Sequence, residues 1–191
     1  MSLRFADLIP LSVPKVSSPD RKRGSHVLQD EVATLFDQFR DPLLRYLSSF
    51  GLTIQDGEEI LQDVFLSLFE QLAQGKSVQN VRGWLFRASH NLALRRRYRL
   101  RRDGDGQTGE YDQEWTADPN PNPEERLAFS QKQERMRAVV AALSEQDRRC
   151  LILRAEGLRY REIAQTLNVS LGAVSISLAR SLARIARSCE R

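Results

Sequence analysis

The 191-residue sequence predicts an all-α protein: two small helical domains joined by an acidic, Gly/Pro-rich linker, the second carrying a helix-turn-helix. Three observations carry this. Apolar residues recur at three- and four-residue steps through most of the chain, which gives a helix one apolar face. No segment sustains the alternation of a strand. Between the periodic stretches, Gly104, Gly106 and Gly109 precede an Asp-Pro-Asn-Pro-Asn-Pro run at 118–123, which breaks helices and marks a domain boundary. The expected organisation is a disordered tail at 1–28, a first domain at 29–102, a flexible acidic linker at 103–125 and a second domain at 126–191.

The tail holds Pro10, Pro14 and Pro19, scattered serines and the basic cluster Arg21-Lys22-Arg23, and is expected to be mostly disordered. Regular structure is expected from near Asp30. Val32, Leu35, Phe36, Phe39, Leu43, Leu44 and Leu47 form one apolar face, which Pro42 should kink or divide and Gly51 should close. Asp56 is the expected cap of a second helix, with Glu59 as its reciprocal partner. That helix has an apolar stripe of Ile60, Leu61, Val64, Phe65, Leu68 and Leu72 and a polar side of Glu58, Glu59, Gln62, Asp63 and Glu70. A loop around Gly75 leads into an arginine-rich helix. Beyond the linker, periodicity resumes near Glu124. Ser144 is a good N-cap for the helix carrying Leu151, Ile152 and Leu153, and Gly157 ends it.

Charge is distributed more tellingly than its sum of +4. Residues 82–102 carry eight arginines and no acid; residues 103–125 carry eight acids and no base; residues 126–191 carry thirteen bases against six acids. Two basic blocks flanking an acidic connector suggest two contacts on one polyanion. In Val81 to Arg102, Trp84, Phe86 and Tyr98 are interleaved with the arginines, and Asn91 adds an amide. Such a helix attracts phosphate and offers rings to unpaired bases. The bland alternative is a solvated face with Trp84, Phe86 and Leu94 in the core.

Leu158 to Leu182 has helix-turn-helix spacing. Ile163, Ala164 and Leu167 face inward, Asn168-Val169-Ser170 makes the turn with Ser170 capping the second helix, and Val174 and Leu178 return to the core. The plain alternative is a structural helical hairpin. Cys150, in the apolar run Cys-Leu-Ile-Leu, reads as a small core residue, and two cysteines are too few for a disulfide framework. No run approaches the roughly 18 apolar residues of a membrane span, so no membrane insertion and a cytoplasmic setting are expected. With two histidines and neither a metal-ligand cluster nor a phosphate-binding glycine loop, no cofactor and no enzymatic activity are expected.

In this order, the motifs resemble those of bacterial RNA polymerase sigma factors of the extracytoplasmic-function class. GEEILQDVFLSLFEQL at 57–72 is similar to the region 2 helix that docks on the polymerase clamp. WLFRASHNLALRRRYR at 84–99 is similar to the promoter-melting and −10-recognition helix, and residues 143–185 resemble region 4, which binds the −35 element. The resemblance implies core RNA polymerase, promoter DNA and an anti-sigma factor as partners. It implies polymerase contacts at Glu59, Gln62 and Asp63 and −10 contacts at Trp84, Arg87, Asn91, Arg95, Arg96, Arg97 and Arg99. It also implies −35 contacts at Ser170, Ser175, Ser177, Arg180 and Arg184, with Arg187 at the same spacing suited to phosphate. The loop from Gln74 to Asn80 takes the place of the loop that captures a flipped promoter base, and the acidic linker would thread near the polymerase's RNA path.

The chain departs from the family in two places. Arg95 stands where the family usually has an aspartate, and Ser175 and Ser177 stand where members often place Lys or Arg. The rival readings are a stand-alone DNA-binding regulator and a degenerate sigma-like interaction module.

Overall fold

The computed structural model describes residues 25–102 and 136–189, and every regular element of any length among them is an α-helix. The tail up to residue 24, the linker at 103–125 and the expected resumption of helix near Glu124 lie outside the described residues. The first domain comprises α1 (Ser25–Ser48), α2 (Ile54–Ala73) and α3 (Val81–Arg102). A helical stretch at 136–141 then leads into α4 (Glu145–Ala155), α5 (Tyr160–Leu167) and α6 (Leu171–Cys189).

The first helix is already formed at Ser25, ahead of the expected start near Asp30, and Pro42 does not divide it. Proline in a helix interior removes one hydrogen bond and crowds the carbonyl four residues back, at a cost of about 3 kcal/mol. Here the buried stripe passes straight through, with Leu35 and Phe39 before the proline and Leu43, Tyr46 and Leu47 after it. Anchoring on both sides outweighs the local penalty.

The cap of α2 also differs from expectation. Thr53 is the N-cap: its Oγ1 accepts from the Asp56 backbone N–H at 3.1 Å, and Asp56 Oδ2 accepts from the Thr53 backbone N–H at 3.3 Å. Asp56 is therefore the third residue of a capping box and not its cap. Gly57 lets α2 approach α1 closely, since a Cβ there would lie 3.1 Å from Leu44 Cδ2.

In the second domain Ser144 caps α4, its Oγ accepting from the Asp147 N–H at 3.2 Å. Helix α5 ends at Asn168, which adopts a left-handed φ of 54°, and α5 and α6 bend by 106° at their break. That angle is typical of a helix-turn-helix. Ser170 caps α6 by accepting from the Ala173 N–H at 3.1 Å. Leu143, Cys150, Leu153, Leu158, Ile163, Val174 and Leu178 form the buried centre of this domain. No single helix among the described residues is long and apolar enough to cross a membrane.

The domains touch. Helix α3 packs on α5, and α1 on α4. The Arg149 guanidinium lies 4.0 Å from the centre of the Phe50 ring. Beneath it, Tyr46 Oη and His90 Nδ1 share a buried 2.7 Å hydrogen bond. Burial, and then the neighbouring Arg149, lower the His90 pKa to about 4, so this imidazole is neutral at physiological pH.

Candidate nucleic-acid interface

Helix α3 buries only its N-terminal half, through Val81, Leu85, Phe86, Ser89, His90 and Ala93. Beyond residue 93 it is mostly surface. Arg87, Asn91, Arg95 and Arg99 are exposed, and Tyr98 is 69% exposed despite its ring. Leu94, Arg95, Tyr98, Arg99 and Arg102 line one open depression along this side. Aromatic and guanidinium planes side by side on a helix are suited to stacking and phosphate contact. Trp84 is half-buried and packs against the core, so it supports the helix as much as it faces outward.

Arg96 and Arg97 are already engaged by acids. Arg96 Nε donates to Asp56 Oδ1 at 2.6 Å, with Glu59 Oε2 3.3 Å from its Nη2. Burial alone would raise the Asp56 carboxyl; hydrogen bonds from Thr53 and Arg96 hold it below the usual range. Arg97 reaches across to the second domain, donating from Nη1 to Glu145 Oε2 at 2.6 Å. That hydrogen bond, helped by Arg149, lowers the Glu145 carboxyl to about 2. The sequence showed eight arginines without local acids; the acids come from 40 and 48 residues away.

The loop before α3 is tied down as well. Asn80 Oδ1 accepts from the Gly83 N–H at 3.0 Å, starting α3, while its Nδ2 donates to Glu162 Oε1 at 2.8 Å. Arg82 donates to the Glu156 carbonyl at 2.9 Å, and Arg45 to the Glu156 carboxylate at 3.0 Å. Gln74 and Gln79, earlier in the loop, are exposed.

On α2, Glu59, Gln62 and Asp63 are all exposed, opposite the buried Ile60, Leu61, Val64, Phe65, Leu68 and Leu72. The acidic face and the arginine face therefore lie on neighbouring helices, joined at the Arg96 contacts.

The recognition element holds a correction. Ser177 is only 2% exposed and donates to Asp147 Oδ1 at 2.6 Å, so it belongs to the interior and not to the outer face. Arg180 donates to both oxygens of the same carboxylate, at 2.8 and 2.9 Å, fastening α6 to α4. Burial would raise the Asp147 pKa, but hydrogen bonds from Arg180, Ser177 and Ser144 bring it below the ordinary value. Helical spacing carries the missed signal: 174, 177, 178 and 181 follow the i, i+3, i+4, i+7 rule, so Ser177 shares the face of buried Val174 and Leu178. Ser170 spends its oxygen on the cap, Ser175 is exposed, and Arg184 is exposed near the end of α6.

Comparison with known proteins agrees with this arrangement. Residues 35–103 match sigma-70 region 2, and residues 133–185 match sigma-70 region 4. The RNA polymerase sigma factor YlaC of Bacillus subtilis (strain 168) is 28% identical over 156 residues, covering 80% of this chain and 88% of that protein. The ECF RNA polymerase sigma factor SigE of Mycolicibacterium smegmatis is 33% identical over 149 residues, covering 73% of this chain and 54% of that protein. Among solved structures, the sigma factor RpoE in complex with the anti-sigma factor NepR, from Bartonella quintana, shares the fold. Its TM-score is 0.60 at 18% identity, covering 84% of this chain and 98% of that one. CnrH in complex with the cytosolic domain of CnrY gives a TM-score of 0.53 at 22% identity, covering 83% of this chain and 87% of that one.

Proposed function

This chain belongs to the sigma-70 family, in its extracytoplasmic-function class, as a sigma factor that binds core RNA polymerase and directs promoter recognition, and we propose how its residues divide that work. Glu59, Gln62 and Asp63 dock on the polymerase clamp. Arg87, Asn91, Arg95, Tyr98 and Arg99 meet the opened −10 DNA, with Arg97 joining when it leaves Glu145. The outer face of α6 enters the −35 major groove, and Arg184 and Arg187 hold phosphates. Melting draws on the binding energy of captured bases and phosphates and needs no nucleotide hydrolysis by this chain.

The observation that carries this reading is the exposure of α3: past residue 93 it projects mostly arginines and a bare tyrosine. An exposed basic and aromatic surface is suited to single-stranded DNA. The protein works in the cytoplasm, where its polymerase partner resides, and an anti-sigma factor restrains it, as the complexes of its structural relatives suggest. Domain ranges of 25–102 and 126–191 are part of this proposal.

Core polymerase reconstituted with this chain as its only sigma subunit tests the assignment. Transcription should start at defined promoters with the wild-type chain. Glu59→Lys/Asp63→Lys should copurify with no core polymerase while keeping its helix content, because both side chains are exposed and like charges would then oppose the partner. Undiminished core binding by that double variant would remove the docking role from α2.

A further inference from the structure

The outer face of α6 contains almost nothing that can read DNA by hydrogen bonding. Gly172, Ser175, Ile176 and Ala179 share one stripe by helical spacing, opposite the inward stripe of Val174, Ser177, Leu178 and Ser181. With Ser177 interior, Ser175 is the only polar side chain left on that outer stripe in the first two turns. Ile176 stands out from it at 66% exposure, a large aliphatic side chain with no core to fill. Gly172 beside it is not needed for internal packing: a Cβ there would meet only Ser170 Oγ, at 4.0 Å. It leaves the start of the helix low enough for close approach to a duplex.

The major groove offers one apolar feature, the C5-methyl group of thymine, and aliphatic side chains are its usual partners. We propose that α6 selects its −35 sequence chiefly by apolar contact between Ile176 and thymine methyl groups, with Gly172 and Ala179 allowing the helix to seat closely. This rests on the assignment of α6 to the −35 groove. Ser175 supplies only one short hydroxyl, and the arginines toward the C-terminal end of α6, Arg184 and Arg187, carry phosphate contact without sequence information. The base class recognised is therefore defined by a methyl group rather than by a donor–acceptor pattern. Covering of the same stripe by a protein partner is the competing outcome.

The test uses holoenzyme containing the full chain. A randomised −35 library is transcribed first to select a preferred element. Each thymine of that element is then replaced by deoxyuridine, which lacks only the methyl group, with 5-methylcytosine replacing cytosine as the converse probe. For the wild type, loss of one contacted methyl should weaken promoter binding about three- to tenfold. Ile176→Ala should bind the thymine promoter that much more weakly and show no further loss on deoxyuridine, while Ser175→Ala should keep the methyl dependence. Because Ile176 is exposed and alanine favours helix, the variant should fold. A clear −35 preference in the wild type without any deoxyuridine penalty, or a full penalty retained by Ile176→Ala, overturns methyl reading and leaves the −35 assignment standing. No preference at all in the library overturns both. An unchanged DNA preference in Ile176→Ala, joined to loss of a protein partner, would hand the stripe to protein docking.

Discussion

Helices α3 and α6, the two elements proposed to meet DNA, differ in how they carry charge. Eight arginines occupy the 22 residues of α3, whereas the 19 residues of α6 hold three, with none before Arg180. The structure modifies both counts. On α3, Arg96 and Arg97 are paired with Asp56 and Glu145; on α6, Arg180 is paired with Asp147. What remains is a helix rich in exposed guanidinium groups and rings, and a helix whose first two turns are small or apolar on the outside. Charge counted along a chain is not charge available to a ligand. On the proposed reading, α3 supplies affinity and salt dependence, and α6 supplies selectivity through apolar contact.

Removing the anchor of α6 should separate the two most sharply. In Asp147→Ala, Arg180 loses its partner and buried Ser177 its acceptor, and the orphaned serine alone should cost the helix-turn-helix domain about 1–3 kcal/mol. Chemical denaturation would show a lowered midpoint. Discrimination among −35 sequences should disappear while the salt dependence contributed by α3 persists. Loss of both together would mean that the two helices act as one unit.

Acid should affect the regions over different ranges. His90 is buried and neutral, with its pKa lowered from 6.5 to about 4. Protonation therefore favours the unfolded chain, and the first domain should lose stability as pH falls from about 6.5 toward 4. Glu145, lowered from 4.5 to about 2 chiefly by Arg97, stabilises the folded state above about pH 4.5, and its contribution is lost between there and about 2. Thermal midpoints across pH should show both phases, and His90→Gln should remove the upper one alone. A flat profile between pH 6.5 and 4.5 would contradict the neutral, buried histidine.

A smaller effect should come from Glu145→Gln. It frees Arg97 from its interdomain pair, and one additional phosphate contact would steepen the salt slope of promoter binding by about 0.7–0.9. Titration of the variant holoenzyme at several ionic strengths would detect it; an unchanged slope would keep Arg97 out of the DNA contact.

Much of this molecule is legible in its sequence because the signals are local. Apolar periodicity gives the helices, Ser144 and Ser170 give their caps, and the turn at Asn168 gives the helix-turn-helix. Where the expectation misses, other forces decide. Thr53 caps α2 because the box opens one turn before Asp56 and closes on it, and α1 continues through Pro42 because buried residues lie on both sides of it. Ser177 was readable as interior from its spacing, although its serine chemistry suggested a groove contact. The pairs Arg96–Asp56, Arg97–Glu145 and Tyr46–His90 join residues at least 40 positions apart, and no local pattern encodes them.

The division of labour is tested most directly by the salt dependence of promoter binding in holoenzyme carrying Arg87→Gln/Arg95→Gln/Arg99→Gln, beside holoenzyme carrying Ile176→Ala. Each phosphate contact contributes about 0.7–0.9 to the slope, so the triple variant should lose about 2–2.7 while still preferring the same −35 sequence. Ile176→Ala should keep the slope and lose the preference. An unchanged slope in the triple variant would reduce the exposed arginines of α3 to a solubilising surface and contradict the account.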